Sequence, residues 1–256
     1  MKLSVSFLIF SKNFIYYSME KKKLISFIDK YYLAGNANST KLVVEDKTMS
    51  CDFITDDQNV VGTVSAEDFD LPNGELGVYA TSQLVKILSA LENDINIDIK
   101  KAEETAYSLQ VSDSNSDATF MLADLAVIRQ VPKMKQLPDF TVKIKLDKGF
   151  ADRFIKSKNA LPESTNFAVN TSNNKAQLVI NYSSMKTSRI TFNVDATVDA
   201  DIANVCFNAN LFKEILTANK DATDGSLEVS EAGLARVTFK GDGFASTYYL
   251  VQLQPS

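Results

Sequence analysis

Two stretches decide how this chain reads: GVYATSQLVKIL (Gly77–Leu88) and NVCFNANLFKEI (Asn204–Ile215). Each passes from a short apolar segment through polar residues into apolar positions at helical spacing. Each therefore predicts a strand, a turn and an amphipathic helix. At an offset of 127, Val78 falls on Val205, Leu84 on Leu211, Val85 on Phe212, Lys86 on Lys213 and Leu88 on Ile215. Thr81 falls on Asn208, and both side chains can accept from the free N–H groups of a first helical turn, so both are expected as N-caps.

The correspondence extends outward. Downstream, Ile95–Lys100 matches Leu227–Glu231, Tyr107–Val111 matches Ala235–Phe239, and ATFMLADL (Ala118–Leu125) matches STYYLVQL (Ser246–Leu253). Upstream, at an offset of 126, Lys22–Lys30 lies against Lys148–Lys156 and pairs Lys22 with Lys148, Ile28 with Phe154, and Lys30 with Lys156. Repeats at a long fixed offset point to a duplicated fold. Helices are predicted over 20–31, 81–91, 148–160 and 209–220. Strands are predicted over Phe140–Leu146, Phe167–Asn170, Ala176–Tyr182, Ser188–Val194, Val205–Phe207 and three final segments. Alternating QLVINY and RITFNV each bury one face. The turns LPNG, Asp224-Gly225 and Gly241-Asp-Gly243 separate strands. The join, VIRQVPKMKQLPD (Val127–Asp139), holds two prolines and three cations, which disfavour a helix or a central strand. The expected fold is α+β: two similar domains, each with two helices packed on antiparallel sheet, over 19–126 and 140–256, joined by a connector at 127–139. Residues 1–18 are an N-terminal extension or carry a first strand.

Composition narrows the chemistry. The 256 residues include 27 basic and 32 acidic side chains, two cysteines and no histidine or tryptophan. Without histidine there is no Ser-His-Asp or Cys-His nucleophile and no Cys/His zinc site. Cys51 and Cys206 have no CxxC spacing and read as free buried thiols. No phosphate-binding glycine loop occurs, and Asp56-Asp57, Glu67-Asp68 and Glu103-Glu104 lack calcium-loop spacing. These acidic pairs suit solvated turns, and no metal, cofactor or enzyme signature survives. The apolar run Leu3–Phe10 is about half a membrane span. It fits an upstream start preceding Met19, or an opening strand at Phe14–Ser18, better than a signal peptide, because no small-residue cleavage site follows.

Charge is sorted by element. The four predicted helices carry Lys21, Lys22, Lys23, Lys30, Lys86, Lys148, Arg153, Lys156, Lys158, Lys213 and Lys220, against Glu20, Asp29, Asp152 and Glu214. Their net +7 leaves −12 on the rest of a chain whose total is −5. One cationic helix is an ordinary solvated face. Four cationic helices on an otherwise acidic chain can hold a polyanion on one side and repel it on the other.

The paired strand–cap–helix segments, the proline-containing connector and the terminal STYYLVQL strand resemble a DNA polymerase sliding clamp of the bacteriophage type, related in architecture to proliferating cell nuclear antigen. The resemblance covers 19–256. It implies a closed homotrimeric ring of six domains, with helices lining the hole and sheets outside. It implies non-specific phosphate contacts to double-stranded DNA from Lys22, Lys23, Lys30, Lys86, Lys148, Arg153, Lys156, Lys213 and Lys220. It implies ring closure through edge strands that include Thr119, Phe120, Met121 and Leu122 on one side and Arg189, Ile190, Thr191 and Phe192 on the other. Polymerase and ATP-dependent clamp loader would insert an apolar peptide beneath the connector, at Val131, Pro132, Met134 and Leu137 with Tyr249, Val251 and Leu253. The resemblance also implies no cofactor, no enzymatic activity, no membrane and a cytoplasmic location (the host cytoplasm for a phage protein). The competing reading is a duplicated, β-rich phage or cell-surface structural protein without a DNA role.

Overall fold

A computed structural model describes residues 17–134, 136–185 and 187–253. The expected strand at Phe14–Ser18 lies partly outside the described residues, and Leu3–Phe10 lies wholly outside them. The first half runs β1 (Tyr17–Glu20), α1 (Lys21–Tyr32), β2 (Thr40–Glu45), β3 (Thr48–Ile54), β4 (Val60–Ala66), β5 (Gly74–Val78), α2 (Thr81–Ala90), β6 (Asp94–Ala102), β7 (Thr105–Ser112) and β8 (Asp117–Met121). The second runs β9 (Val142–Lys145), α3 (Lys148–Ala160), β10 (Asn166–Ser172), β11 (Lys175–Ile180), β12 (Ile190–Val194), β13 (Ala196–Val198), β14 (Val205–Asn208), α4 (Ala209–Ala218), β15 (Asp224–Ser230), β16 (Leu234–Gly241) and β17 (Phe244–Val251). Apart from the short β13, the two halves repeat one element order.

The sheets repeat as well. The order β1-β6-β7-β8 in the first half recurs as β9-β15-β16-β17 in the second, and β5-β2-β3-β4 recurs as β14-β10-β11-β12. All pairings are antiparallel. The halves are fused where β17 pairs with β4, from Phe244↔Ala66 to Leu250↔Val60, so that one nine-stranded sheet crosses the middle of the molecule. Strand β8 and strand β12 are left as edges of their four-stranded sheets.

Helical spacing fixes what each helix buries. α1 buries Leu24, Phe27, Ile28 and Tyr31, the i, i+3, i+4, i+7 stripe of a helix lying on a sheet. α3 buries Phe150 and Phe154, and α4 buries Leu211, Phe212, Ile215 and Leu216. Phe154 and Phe212 meet edge-to-face with centroids 4.8 Å apart, while Phe53 from β3 meets Tyr248 from β17 at 6.0 Å across the junction. Most buried apolar residues of both halves form one continuous core, and Ala168, Val179 and Cys206 form a small cluster apart from it.

Helix starts differ in one respect from the sequence reading. Asn208 is the N-cap of α4, its Oδ1 accepting from Asn210 N at 2.9 Å and Leu211 N at 3.1 Å. Thr81 is not a cap: Ala80 holds that place without a side-chain bond, and Asn38 Oδ1 accepts from Ser82 N at 2.8 Å instead. The Thr81 hydroxyl is buried and sits 3.3 Å from the Tyr31 hydroxyl. Helix α4 ends at Ala218, so Lys220 stands just beyond it. Cys51 and Cys206 are free and buried.

Candidate nucleic-acid interface

The four helices form one row. α2 packs on α1, α1 packs on α4 across the junction of the halves, and α4 packs on α3. Their apolar stripes point into the core, so the opposite faces make a common outer wall of helices. Lys22, Lys86, Lys148, Arg153, Lys156 and Lys220 are exposed on or beside this row. Among the described residues Lys22, Lys86, Lys148, Lys156 and Lys220 form no salt bridge, which leaves their ammonium groups available to an external anion. Arg153 donates to Asn193 O at 3.4 Å and lies over the Phe192 ring at 5.7 Å. Lys23 is half-buried, donating to Asp68 O at 2.7 Å above the Phe69 ring, and Lys213 is drawn to Glu214 at 3.5 Å.

Lys30 departs from the expectation of an anion contact. It is 1% exposed, and its Nζ lies 3.0 Å from both carboxylate oxygens of Asp221 and 2.9 Å from Ser26 Oγ. The ring of Phe244 covers it at 4.1 Å. α1 is flanked by α4, and the chain leaving α4 delivers Asp221 to this position; an unpaired ammonium here would be costly. The Lys30 carbonyl also accepts from Tyr248 Oη at 2.9 Å, and that hydroxyl in turn accepts from Asn219 Nδ2 at 2.8 Å. Lys30 therefore joins the halves and is removed from the surface set. Beside it, a groove of about 500 Å³ between α1 and α4 is flanked by Lys22 and Lys220 and holds Asp29. Burial raises the Asp29 carboxyl above its ordinary value, against the pull of Lys30 and Lys220.

On the opposite face of the sheet the chain leading into the connector is seated on a glycine. Ala123 N donates to Gly77 O at 2.9 Å, and a Cβ on Gly77 would collide with the Ala123 carbonyl oxygen. The first residue of the opening motif thus seats the segment that leads into the connector, and Ile128 of the connector itself packs close to it. Beyond it, Leu125, Ile128, Arg129, Val131 and Lys133 border a groove of about 600 Å³ whose other wall is Lys41, Val43, Asp52 and Thr63 from β2, β3 and β4. Of the expected peptide-pocket residues only Val131 lines it. Pro132 and Met134 are exposed on the connector and Leu137 is partly buried there. Tyr249 and Val251 lie on β17, and Leu253 donates its N–H to Cys206 O, so these three do not line this groove. The wall from β2, β3 and β4 escaped the sequence reading. Its signal was the outward half of the alternation in TKLVVE and VVGTVSA.

Of the expected edge residues, Thr119 and Met121 are exposed on β8, whereas Phe120 points into the core and Leu122 lies one residue past the strand. Ile190, Thr191 and Phe192 lie on β12, Arg189 just before it, and Phe192 packs against Phe150 at 6.3 Å. Among the described residues no group of three His, Cys, Asp or Glu could hold a metal ion, and no helix is long and apolar enough to cross a membrane.

A duplicated α+β chain with four helices in one row and a sheet fused across its middle has the fold of the DNA clamps. In architecture it is like proliferating cell nuclear antigen. The proliferating cellular nuclear antigen of Entamoeba histolytica superposes with a TM-score of 0.70 at 18% identity, over 93% of this chain and 98% of that one. The PCNA2–PCNA3 complex of Sulfolobus tokodaii gives 0.70 at 12% identity, over 93% and 99%. A. fulgidus PCNA, solved with the C-terminal region of FEN-1 bound, gives 0.73 at 15% identity, over 94% and 99%. No protein-family model and no curated protein matches the sequence.

Proposed function

We propose that this chain is a non-enzymatic sliding clamp. Three copies close into a ring around duplex DNA and tether the replicative polymerase. The observation that carries the reading is the unbroken row α2-α1-α4-α3, which crosses both halves and carries on or beside it five exposed lysines that form no salt bridge among the described residues. Lysines that meet phosphates only supply affinity without reading sequence. A tether that must slide needs many such weak, equivalent contacts, with topology in place of tight binding. Lys22, Lys86, Lys148, Lys156 and Lys220 are the principal contacts, with Arg153, Lys23 and Lys213 beside them.

Ring closure follows from the internal junction. β8 holds in the first half the place that β17 holds in the second, and β12 holds the place of β4. A copy of the β17–β4 junction made between molecules joins β8 of one chain to β12 of the next and removes both open edges. The Sulfolobus tokodaii relatives were solved as a complex of two clamp chains, and the A. fulgidus relative with a partner's C-terminal region. By the same logic the groove under the connector receives peptides of the polymerase and of an ATP-dependent loader. The bacteriophage attribution, with a host-cytoplasmic location, rests on the sequence resemblance.

Light scattering should give about three times the 28.3 kDa chain mass. Lys22, Lys86, Lys148 and Lys156 changed together to Glu should abolish processive primer extension while keeping that mass. A strict monomer at micromolar concentration, or undiminished extension by the charge-reversed protein, would refute the proposal.

A further inference from the structure

The groove beneath the connector has a charge of its own. Outside its four predicted helices the sequence carries −12, yet this groove on the sheet face is bordered by Lys41, Arg129 and Lys133 against a single carboxylate, Asp52. That carboxylate is engaged, accepting from Thr63 Oγ1 at 2.7 Å, and Lys41 is taken up by Glu75 at 2.6 Å. Arg129 and Lys133 are exposed, and among the described residues neither meets a carboxylate. The apolar side chains that line it are Val43 on the sheet wall and Leu125, Ile128 and Val131 on the connector side, with Ser50 and Gln130 among the polar ones. Among the described residues, Arg129 to Met134 makes no backbone hydrogen bond to the rest of the chain, so an extended segment laid alongside finds free main-chain groups.

We infer that the partner segment taken by this groove is an acidic peptide: apolar side chains seated between Val43 and the Leu125, Ile128 and Val131 side chains, with Asp or Glu beside them against Arg129 and Lys133. The inference rests on the clamp reading of the groove and adds the charge of its occupant. Apolar side chains lining a groove of about 600 Å³ suit peptide side chains better than a sugar–phosphate backbone, which favours a peptide over nucleic acid. Opposite charges at an exposed rim select partners and speed encounter more than they add affinity, so the preference must weaken with salt.

The test is selection from a random twelve-residue peptide library on the intact protein, run in parallel on Val43→Arg and on Arg129→Glu/Lys133→Glu. The substituted side chains of the double variant are exposed, and circular dichroism and light scattering verify that each variant keeps its fold and mass. Peptides whose enrichment is lost on Val43→Arg report the groove. Those peptides should carry net negative charge, and the double variant should bind them about tenfold more weakly at low salt, the difference shrinking at high salt. Groove-dependent peptides that are neutral or basic, or equal affinity for the double variant, overturn the charge inference and leave the groove reading intact. Enriched peptides that ignore Val43→Arg, or displacement of the groove-dependent ones by duplex DNA, overturn both.

Discussion

Lys30 and Lys156 occupy matching places in the sequence repeat and have opposite fates. α3 lies at the end of the helix row, so Lys156 meets solvent; α1 lies inside the row, so Lys30 meets Asp221. The two partners are buried unequally, with side-chain exposures of 2% for Lys30 and 46% for Asp221. Removing either one should therefore cost differently. Asp221→Ala leaves a buried ammonium with only Ser26 and the Phe244 face, and should destabilise by about 2 kcal/mol. Lys30→Met fills the same space with apolar atoms and releases a carboxylate that water can reach, so it should cost less, about 1 kcal/mol or below. Urea unfolding of the two variants measures the asymmetry, and equal losses would contradict it. Gly77 makes a second local claim. Gly77→Ala would push the Ala123 carbonyl away, loosening the entry to the connector at a cost of about 1–3 kcal/mol.

Helices were the legible part of the sequence because their signal is local. The buried stripes at i, i+3 and i+4 placed all four within two residues of where they lie, and the fused core explains why those stripes had to be apolar. Caps were less legible. Asn208 serves its own helix, and Asn208→Ala should cost about 1 kcal/mol. α2 borrows Asn38 from a loop that sequence spacing cannot connect to it. The connector groove was nearly invisible for the same reason: its walls come from β2, β3, β4 and 125–133, which only the folded sheet brings together. The turn between β7 and β8 shows how such distant ties respond to acid. Asp113 accepts from the backbone N–H groups of Glu92, Asn115 and Ser116, which hold its carboxyl below the ordinary 3.8. A depressed folded-state value means that this contribution to stability is present above 3.8 and is lost as pH falls below it. Thermal melts of Asp113→Asn should accordingly fall less steeply with acid than those of the parent protein. On the helical wall, each phosphate contact removed by Lys86→Ala or Lys156→Ala should lower the slope of log K against log salt by about 0.9.

The internal junction also fixes how neighbouring copies should meet. Within the chain Thr247 stands opposite Thr63, and Tyr248, whose side chain enters the core, stands opposite Gly62. In the β7–β8 hairpin Ser112 faces Asp117 and in the β16–β17 hairpin Lys240 faces Ala245, across four residues in each case, which sets β8 against β17 at a shift of 128, puts Phe120 on Tyr248 and makes Thr119 the counterpart of Thr247. The other partner follows from the ladders. Val43 faces Ser50 and Ser50 faces Ser65, as Asn170 faces Gln177 and Gln177 faces Asn193, so β12 also matches β4 at a shift of 128 and Thr191 is the counterpart of Thr63. Together with the Thr247–Thr63 pairing, the two matches give one intermolecular register: Thr119 opposite Thr191 of the next copy, both now exposed at open edges. Facing residues of antiparallel strands lie within the Cα separation that a disulfide accepts. Thr119→Cys/Thr191→Cys should therefore oxidise to covalent dimers and a closed covalent trimer, with the buried Cys51 and Cys206 taking no part. Thr119→Cys/Asn193→Cys moves one partner two residues along the strand and should cross-link poorly. Equal cross-linking of the two pairs would mean that the edges meet in another register, and none from either would mean that the ring does not close through these strands.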